Sequence, residues 1–248
     1  MLHRPVELST QTFEVLWERL NLGDIHPTLM RGAMWYSEDE RRNLAAGTDR
    51  ELADRGLLRG GRLDDDFLEA LHVLQRPGVD YYSWVKSGQG ERTVRAAAFG
   101  KAGFTVVAAG DMLYLTPCSA DALAREFATL LPNAPAARLA SLNCSNTDLD
   151  MIKRGRIPGA TSPSIRDAKQ VLRWLNAPHT YSGRLYVAIR DGRGMRRRNE
   201  NPPGWADTDQ GRILFGVDES GRVSLSGVGP QDIANKVQKL TQELHDGR

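Results

Sequence analysis

Six arginines, Arg184, Arg190, Arg193, Arg196, Arg197 and Arg198, crowd one short stretch in which Asp191 is the only acid. A guanidinium grips carboxylate or phosphate through paired N–H donors, so the chemistry on offer is anion recognition. Two partners suit such a run, a nucleic-acid backbone or an acidic protein surface; the remaining reading is an exposed strand whose charges pair between strands. The chemistry of catalysis is scarcer. The five histidines (His3, His26, His72, His179, His245) include no two at metal-ligand spacing, and neither a G-x-S-x-G elbow nor an H-E-x-x-H pair occurs. Asp64, Asp65 and Asp66 read as a solvated helix start. Asp207-Thr-Asp209-Gln-Gly211 with Asp218 only outlines a calcium loop, because Arg212 stands where the sharp turn needs glycine and the bidentate Glu is missing. It reads instead as a turn capped by aspartates. Gly100-Lys-Ala-Gly103 lies between strands rather than before a helix and reads as a hairpin turn. No catalytic, cofactor-binding or metal-binding residues are assigned, and the chain is read as a non-enzyme.

The elements that position the arginines follow from periodicity. Phe13, Leu16, Trp17 and Leu20 form one stripe of a first helix. Ser37 with Glu40 is a capping box opening a charged helix, and Thr48 with Glu51 resembles a second one. Phe67–Leu74 is helical and closes at Arg76-Pro-Gly, with His72 partly buried inside it. The period then changes to two. Asp80–Lys86, Arg92–Phe99, Phe104–Ala109 and Met112–Thr116 form an antiparallel meander with glycine turns, and a helix follows Pro117. Residues 132–163 mix Pro, Asn, Ser and Gly around one short helix near Thr147–Arg154 and read as a connection. Ser164–Leu175 is helical, with Ile165, Ala168, Leu172 and Leu175 inward. Strands at Tyr181–Arg190, Met195–Arg198, Trp205–Asp207, Ile213–Val217 and Val223–Ser226 build a second meander, interrupted by a mobile polar loop at 199–204. A last helix, Gln231–Leu244, completes it.

The pattern is duplicated. Strand, turn, strand, proline and helix over 104–131 return over 212–244, with Leu113 falling on Val223, Leu115 on Leu225 and Leu123 on Ile233. This order predicts an α+β domain over 1–248. It consists of two quasi-symmetric halves (about 1–131 and 164–248, joined by 132–163) sharing a twisted, mostly antiparallel central sheet flanked by helical bundles. Such a shape suits holding a partner more than enclosing a deep cleft. At 248 residues, 26% charged and net charge +2, the composition is that of an ordinary globular domain. It exerts no global pull toward nucleic acid or membrane. No apolar run reaches the ~18 residues of a membrane span, and no secretory hydrophobic region is present. Cys118 and Cys144 read as two unpaired thiols in a reducing compartment. The expected location is the cytoplasm.

Several stretches resemble the EspG family, cytosolic chaperones of the ESX (type VII) secretion systems of actinobacteria. They are Phe13-Glu-Val-Leu-Trp-Glu-Arg-Leu-Asn-Leu-Gly with Pro27, Glu51-Leu-Ala-Asp-Arg-Gly-Leu-Leu, Asp64-Asp-Asp-Phe-Leu-Glu-Ala-Leu with Arg76-Pro, and Gly183-Arg-Leu through Arg196-Arg-Arg to Trp205-Ala-Asp-Thr-Asp-Gln-Gly-Arg212. The resemblance implies an α+β fold, no cofactor, no catalysis, and binding of the exposed tip of a PPE-type substrate in a PE–PPE heterodimer, kept soluble for export. A monomer or weak homodimer is expected when free, without nucleic acid or membrane insertion. No family motif identifies contact residues, so the candidates come from this chain. Arg196, Arg197 and Arg198 are rim charges; Trp205 is either an anchor or a plug in the sheet. Asp207 and Asp209 lie beside it in sequence, and Lys236 and Lys239 stand on the last helix. The alternative is a nucleic-acid-binding module using the arginine hairpin 184–198. Against it stands the lack of aromatic residues interleaved with the arginines.

Overall fold

The computed structural model describes residues 2–30, 37–156 and 162–247. The loop expected after Pro27 and the connection expected over 132–163 run partly outside them, at 31–36 and 157–161.

The chain opens with β1 (Val6–Ser9) and passes directly into α1 (Thr10–Arg19). Ser9 caps the helix, its Oγ accepting from the Thr12 N–H at 3.1 Å, which satisfies one of the donors a helix start leaves open. Phe13, Leu16 and Trp17 are buried on the predicted stripe. The capping box of Ser37 and Glu40 opens α2 (Glu38–Asp54), but the second box opens nothing, and α2 runs straight through Thr48. Glu51 is engaged elsewhere: its carboxylate accepts from Ser9 N–H and Oγ at 2.7 Å and from Thr12 Oγ1 at 2.6 Å, tying α2 to the start of α1. A short ribbon of β2 (Leu58–Arg59) and β3 (Arg62–Leu63) precedes α3 (Asp65–Gln75). Asp64 caps α3 at Phe67 N–H, 3.0 Å, and Asp65 and Asp66 face the positive end of its dipole. His72 is exposed, not partly buried. Five positions beyond Phe67, it points well away from the stripe of Phe67, Ala70, Leu71 and Leu74.

The first meander is β4 (Val79–Ser87), β5 (Gly90–Phe99), β6 (Ala102–Ala109) and β7 (Met112–Ser119), antiparallel throughout. A 3-10 turn leads into α4 (Leu123–Leu130). The expected connection then contributes a strand of its own, β8 (Leu142–Ser145), before α5 (Asn146–Lys153) and α6 (Pro163–Leu175). On α6 the buried residues are Ile165, Ala168 and Val171, with Leu172 and Leu175 half-buried. The single strand expected over Tyr181–Arg190 is two, β9 (His179–Arg184) and β10 (Tyr186–Arg190). They part at Leu185, whose N–H donates to the Pro203 carbonyl at 2.9 Å. β11 (Arg196–Arg198), β12 (Gly204–Thr208), β13 (Gly211–Val217), β14 (Arg222–Gly227) and α7 (Pro230–His245) follow. The loop expected to be mobile between β11 and β12 is pinned at its start. Asn199 is buried, accepting from Val187 N–H at 3.0 Å and donating to the Leu185 carbonyl at 3.1 Å.

One open sheet of 12 strands collects these elements in the order β1-β7-β6-β5-β4-β9-β12-β13-β14-β8, with β10 pairing β4 and β11 pairing β10. From either edge inward the strands come in equivalent order: the first of each half at the rim, then the last, then backwards along the meander. The registers agree. Val6 pairs Leu115 as Leu142 pairs Leu225, and Leu8 pairs Leu113 as Cys144 pairs Val223. Ser145 caps α5 at Asp148 N–H, 3.0 Å, as Ser9 caps α1. The fold is α+β with this doubled arrangement.

Alternation along the strands sorts side chains onto two faces. On the front face α1, α2 and α3 cover Ala97, Phe104, Val106, Leu113 and Leu115, while α5 and α6 cover Ala206, Ile213, Val223 and Leu225. On the back, α4 and α7 pack over the middle, against Tyr81, Val94, Val187, Ile189 and Trp205. Between the two front helical groups lies a strip of β4, β9 and β10.

Candidate functional site

β4 turns Asp80, Tyr82, Trp84 and Lys86 to the front, and pairing carries the same face across to Tyr186 opposite Tyr82 and to Ser182 opposite Lys86. Tyr82 stacks on Tyr186 with centroids 5.0 Å apart and planes 5° off parallel. Trp84 meets both edge-on, at 5.7 and 5.3 Å. β11 lays its arginines across this group: Arg196 lies 5.8 Å from the Tyr82 centroid and Arg198 5.5 Å from that of Tyr186, within cation–π range. The expectation that aromatics are not interleaved with the arginines is therefore corrected. The rings come largely from β4, a strand 114 positions away along the chain for the pair Tyr82–Arg196.

Beneath the rings lies a buried ion network. Arg95 Nε donates to Asp80 Oδ1 at 2.8 Å, its Nη2 to Oδ2 at 3.2 Å and to the Leu74 carbonyl at 3.0 Å. Arg196 approaches the same carboxylate at 3.5 Å and donates to the Tyr82 hydroxyl at 3.4 Å. Burial pushes the Asp80 carboxyl up, but the charge and hydrogen bond of Arg95, with His26 and Arg196 behind it, together hold the group below the usual carboxylate range. His26, from the turn before Pro27–Leu29, packs on Tyr82 at 4.6 Å. Burial first, then Arg95, lowers its pKa to about 3, against a smaller opposing pull from Asp80. The imidazole is neutral in the fold and protonates near pH 6.5 once unfolded. Its contribution is therefore fully present above pH 6.5 and lost as pH falls from 6.5 toward 3, with a slope approaching about 1.4 kcal/mol per pH unit. Urea unfolding at pH 7 and pH 5 is expected to show wild type losing more stability than His26→Gln over that interval. Equal losses would exclude His26 as the source.

Beyond Trp84 and Tyr186 the strip opens into a groove of about 680 Å³. Trp174 and Leu175, at the end of α6, wall one side, and Ser182, Ala206, Ile213 and Phe215 line its strands. Lys86, Glu91, His179 and Arg184 stand around it, Lys86 and Glu91 pairing at 3.7 Å. Gly183 makes the close strand crossing possible: a Cβ there would meet the Trp84 carbonyl at 2.6 Å and Trp205 Nε1 at 2.9 Å.

The sequence-derived candidates separate. Arg196 and Arg198 join the strip. Arg197 pairs Ile189 and alternates to the back. Trp205 borders the groove but has no exposed surface; it packs from the back, its Nε1 donating to Ser83 Oγ at 3.3 Å. Asp207 caps no turn. It is buried in β12 and accepts from Arg212 Nε at 2.6 Å and Nη2 at 2.8 Å, while Thr208 caps the following turn at Gln210 N–H. Asp209 is exposed in that turn. Lys236 is half-buried on α7, where burial lowers its pKa, and Lys239 is exposed beside Glu243 at 3.8 Å. The missed residues are Asp80, Tyr82, Trp84, Tyr186 and Trp174. For the first three the signal was the every-second-residue run Asp80, Tyr82, Trp84, Lys86, which identifies one face without showing that helices leave it open; Tyr186 and Trp174 stand outside that run.

Among the described residues no group of His, Cys, Asp or Glu is placed to hold a metal ion, and no helix is long and apolar enough to cross a membrane. Cys118 and Cys144 are free; burial, then Glu126, pushes the Cys118 thiol up to about 11.

The fold and site together are an open, doubled α+β sheet with an amphipathic groove on its front, its buried Asp80–Arg95 and Asp207–Arg212 pairs engaged in structure. The sequence profile of the EspG family matches residues 9–239, and the chain belongs to that family. Among solved structures it is similar to the Mycobacterium tuberculosis type VII secretion system chaperone EspG5, determined in complex with a PE25–PPE41 dimer. The TM-score is 0.72 at 14% identity, over 96% of this chain and 95% of that one; at that identity the likeness concerns the fold. A comparison with curated proteins finds no match.

Proposed function

We propose that this protein is a cytosolic chaperone of a type VII secretion system that holds the tip of a PPE-type subunit in a PE–PPE heterodimer, keeping it soluble for export. The carrying observation is the groove between α6 and the central strands, apolar at Trp84, Trp174 and Phe215 and bordered by Lys86, Arg184 and Glu91. Family membership and the fold shared with EspG5 support the same reading. A helical tip left exposed would present an apolar patch of the kind that drives self-association. A shallow groove with a charged border covers it while leaving binding reversible.

Co-expression with a genome-neighbouring PE–PPE pair is expected to yield a ternary complex on size exclusion; separate elution across several cognate pairs would overturn the reading. Trp174 is half-buried at the groove wall. Trp174→Ala is expected to weaken the complex by about 2 kcal/mol, near thirtyfold in Kd, with a thermal midpoint close to wild type. Calorimetric titration beside a melt separates the two effects, and unchanged affinity would remove the groove from the interface. The nucleic-acid alternative is not favoured. Tyr82 and Tyr186 stack on each other and lie beneath Arg196 and Arg198, an arrangement that leaves no row of open ring faces for bases.

A further inference from the structure

Away from the groove, at the end of the sheet where β4 begins, a second set of arginines converges. Gly78 is the hub: its N–H donates to the Ala98 carbonyl at 2.8 Å, and its carbonyl accepts from Arg190 N–H at 2.9 Å. The ends of β5 and β10 therefore flank it, one strand spacing to each side. Arg190 Nη1 donates to the Gly194 carbonyl at 2.7 Å. Arg76 leans on that same glycine, where an added Cβ would lie 2.9 Å from its Nη2. Two guanidiniums thus meet over one turn residue, with Arg193 one position earlier and Arg196 beginning the next strand.

The local acids offset them only in part: Asp191 and Asp80 pull on Arg190 less than burial, Arg76 and Arg196 push. Asp191 Oδ1 accepts from the N–H groups of Arg193 and Met195, both at 2.9 Å. Asp80 is held by Arg95 and Arg196. Arg190 Nε is buried and makes no hydrogen bond, a donor left without an acceptor. Burial, then the positive charges of Arg76 and Arg196, lowers the Arg190 pKa, as expected of cations pressed together. Two of the most exposed large apolar side chains sit on either side, Phe99 at 61% and Met195 at 65% exposure.

We propose that this sheet end, formed by Arg76, Arg190 and Arg193 with Phe99 and Met195 beside them, is a docking site for an acidic peptide segment of a partner protein. Carboxylates answer the positive charge of the convergent guanidiniums, of which Arg76 and Arg193 are exposed to a partner. The neighbouring Phe99 and Met195 suit apolar side chains interspersed with the acids, which a polyphosphate backbone does not offer. A bilayer surface would demand a broader apolar plane than these two side chains provide. The site lies off the groove and does not depend on what the groove holds.

The test uses the full chain and fluorescein-labelled hexaglutamate, read by anisotropy at about 50 mM and 200 mM salt. Arg76→Gln/Arg193→Gln is the main variant, since these two side chains hold no hydrogen bond on which the fold depends; Trp174→Ala is the control. Wild type and the control are expected to bind the peptide equally, more weakly at high salt, with the double variant weaker by about tenfold. Absence of binding, equal binding by the double variant, or tighter binding of a DNA duplex or phosphatidylserine vesicles at matched charge would overturn the proposal. Because the probe contains no PE–PPE protein, failure here leaves the chaperone reading to its own co-expression test.

Discussion

Replacing Arg212 with Met is expected to cost about 3–5 kcal/mol of unfolding free energy, the range for removing one partner of a buried ion pair. For a chain of this size that is a fall in melting temperature on the order of 10 °C. Arg212 is fully buried, binds Asp207 through Nε and Nη2, and reaches the Pro132 carbonyl at 2.5 Å. Its guanidinium lies 4.9 Å from the Trp205 centroid. Its backbone joins segments distant in sequence, donating to Pro135 and accepting from Ala137 and Val228. Removing the cation leaves a buried carboxylate with its charge unanswered. The double variant Asp207→Leu/Arg212→Met, which removes both charges, is expected to recover most of the loss, because the cost lies in the stranded ion more than in the lost attraction. Urea unfolding of the single and double variants decides the matter. A single variant within about 1 kcal/mol of wild type would show that the pair does not hold this half together.

Trp205→Ala is expected to destabilise the protein by a similar amount, about 3–5 kcal/mol, through the cavity a large buried ring leaves. Trp205→Phe is expected to cost nearer 1 kcal/mol, chiefly the lost hydrogen bond to Ser83. The position of the ring dictates this ordering. With no exposed surface it meets the helices on the back of the sheet, and it bears on the groove only by holding up its floor. Melting curves for both variants, read beside the affinity of Trp174→Ala, separate the two roles. Trp205→Ala melting like wild type while losing its partner would return the residue to the interface.

Much of the fold was legible in the residues. The capping box at Ser37, the acidic helix start at Asp64–Asp66, the alternation of the two meanders and the turn at Gly100 are local signals, and local physics decides them. Even the doubling showed in the offset that sets Leu113 on Val223. The start of the second repeat was less visible: Leu142–Ser145 is four residues amid Pro- and Asn-containing chain, and only pairing with β14 makes it a strand. Thr48 carried a genuine capping pattern that lost, because Glu51 found better donors at Ser9 and Thr12 once α1 packed against α2.

The candidate site divides along the same line. Sequence alone determined that six arginines share one stretch and that Tyr82, Trp84 and Lys86 share one face, since both follow from spacing along a single strand or hairpin. Tertiary structure decided the rest. It laid β11 over rings from β4, turned Trp205 to the covered face, and left the front strip open between α1–α3 and α5–α6. A period of two states which side chains travel together; it carries no information about which face the helices will cover. That choice is made by contacts between residues more than a hundred positions apart, such as Tyr82 with Arg196.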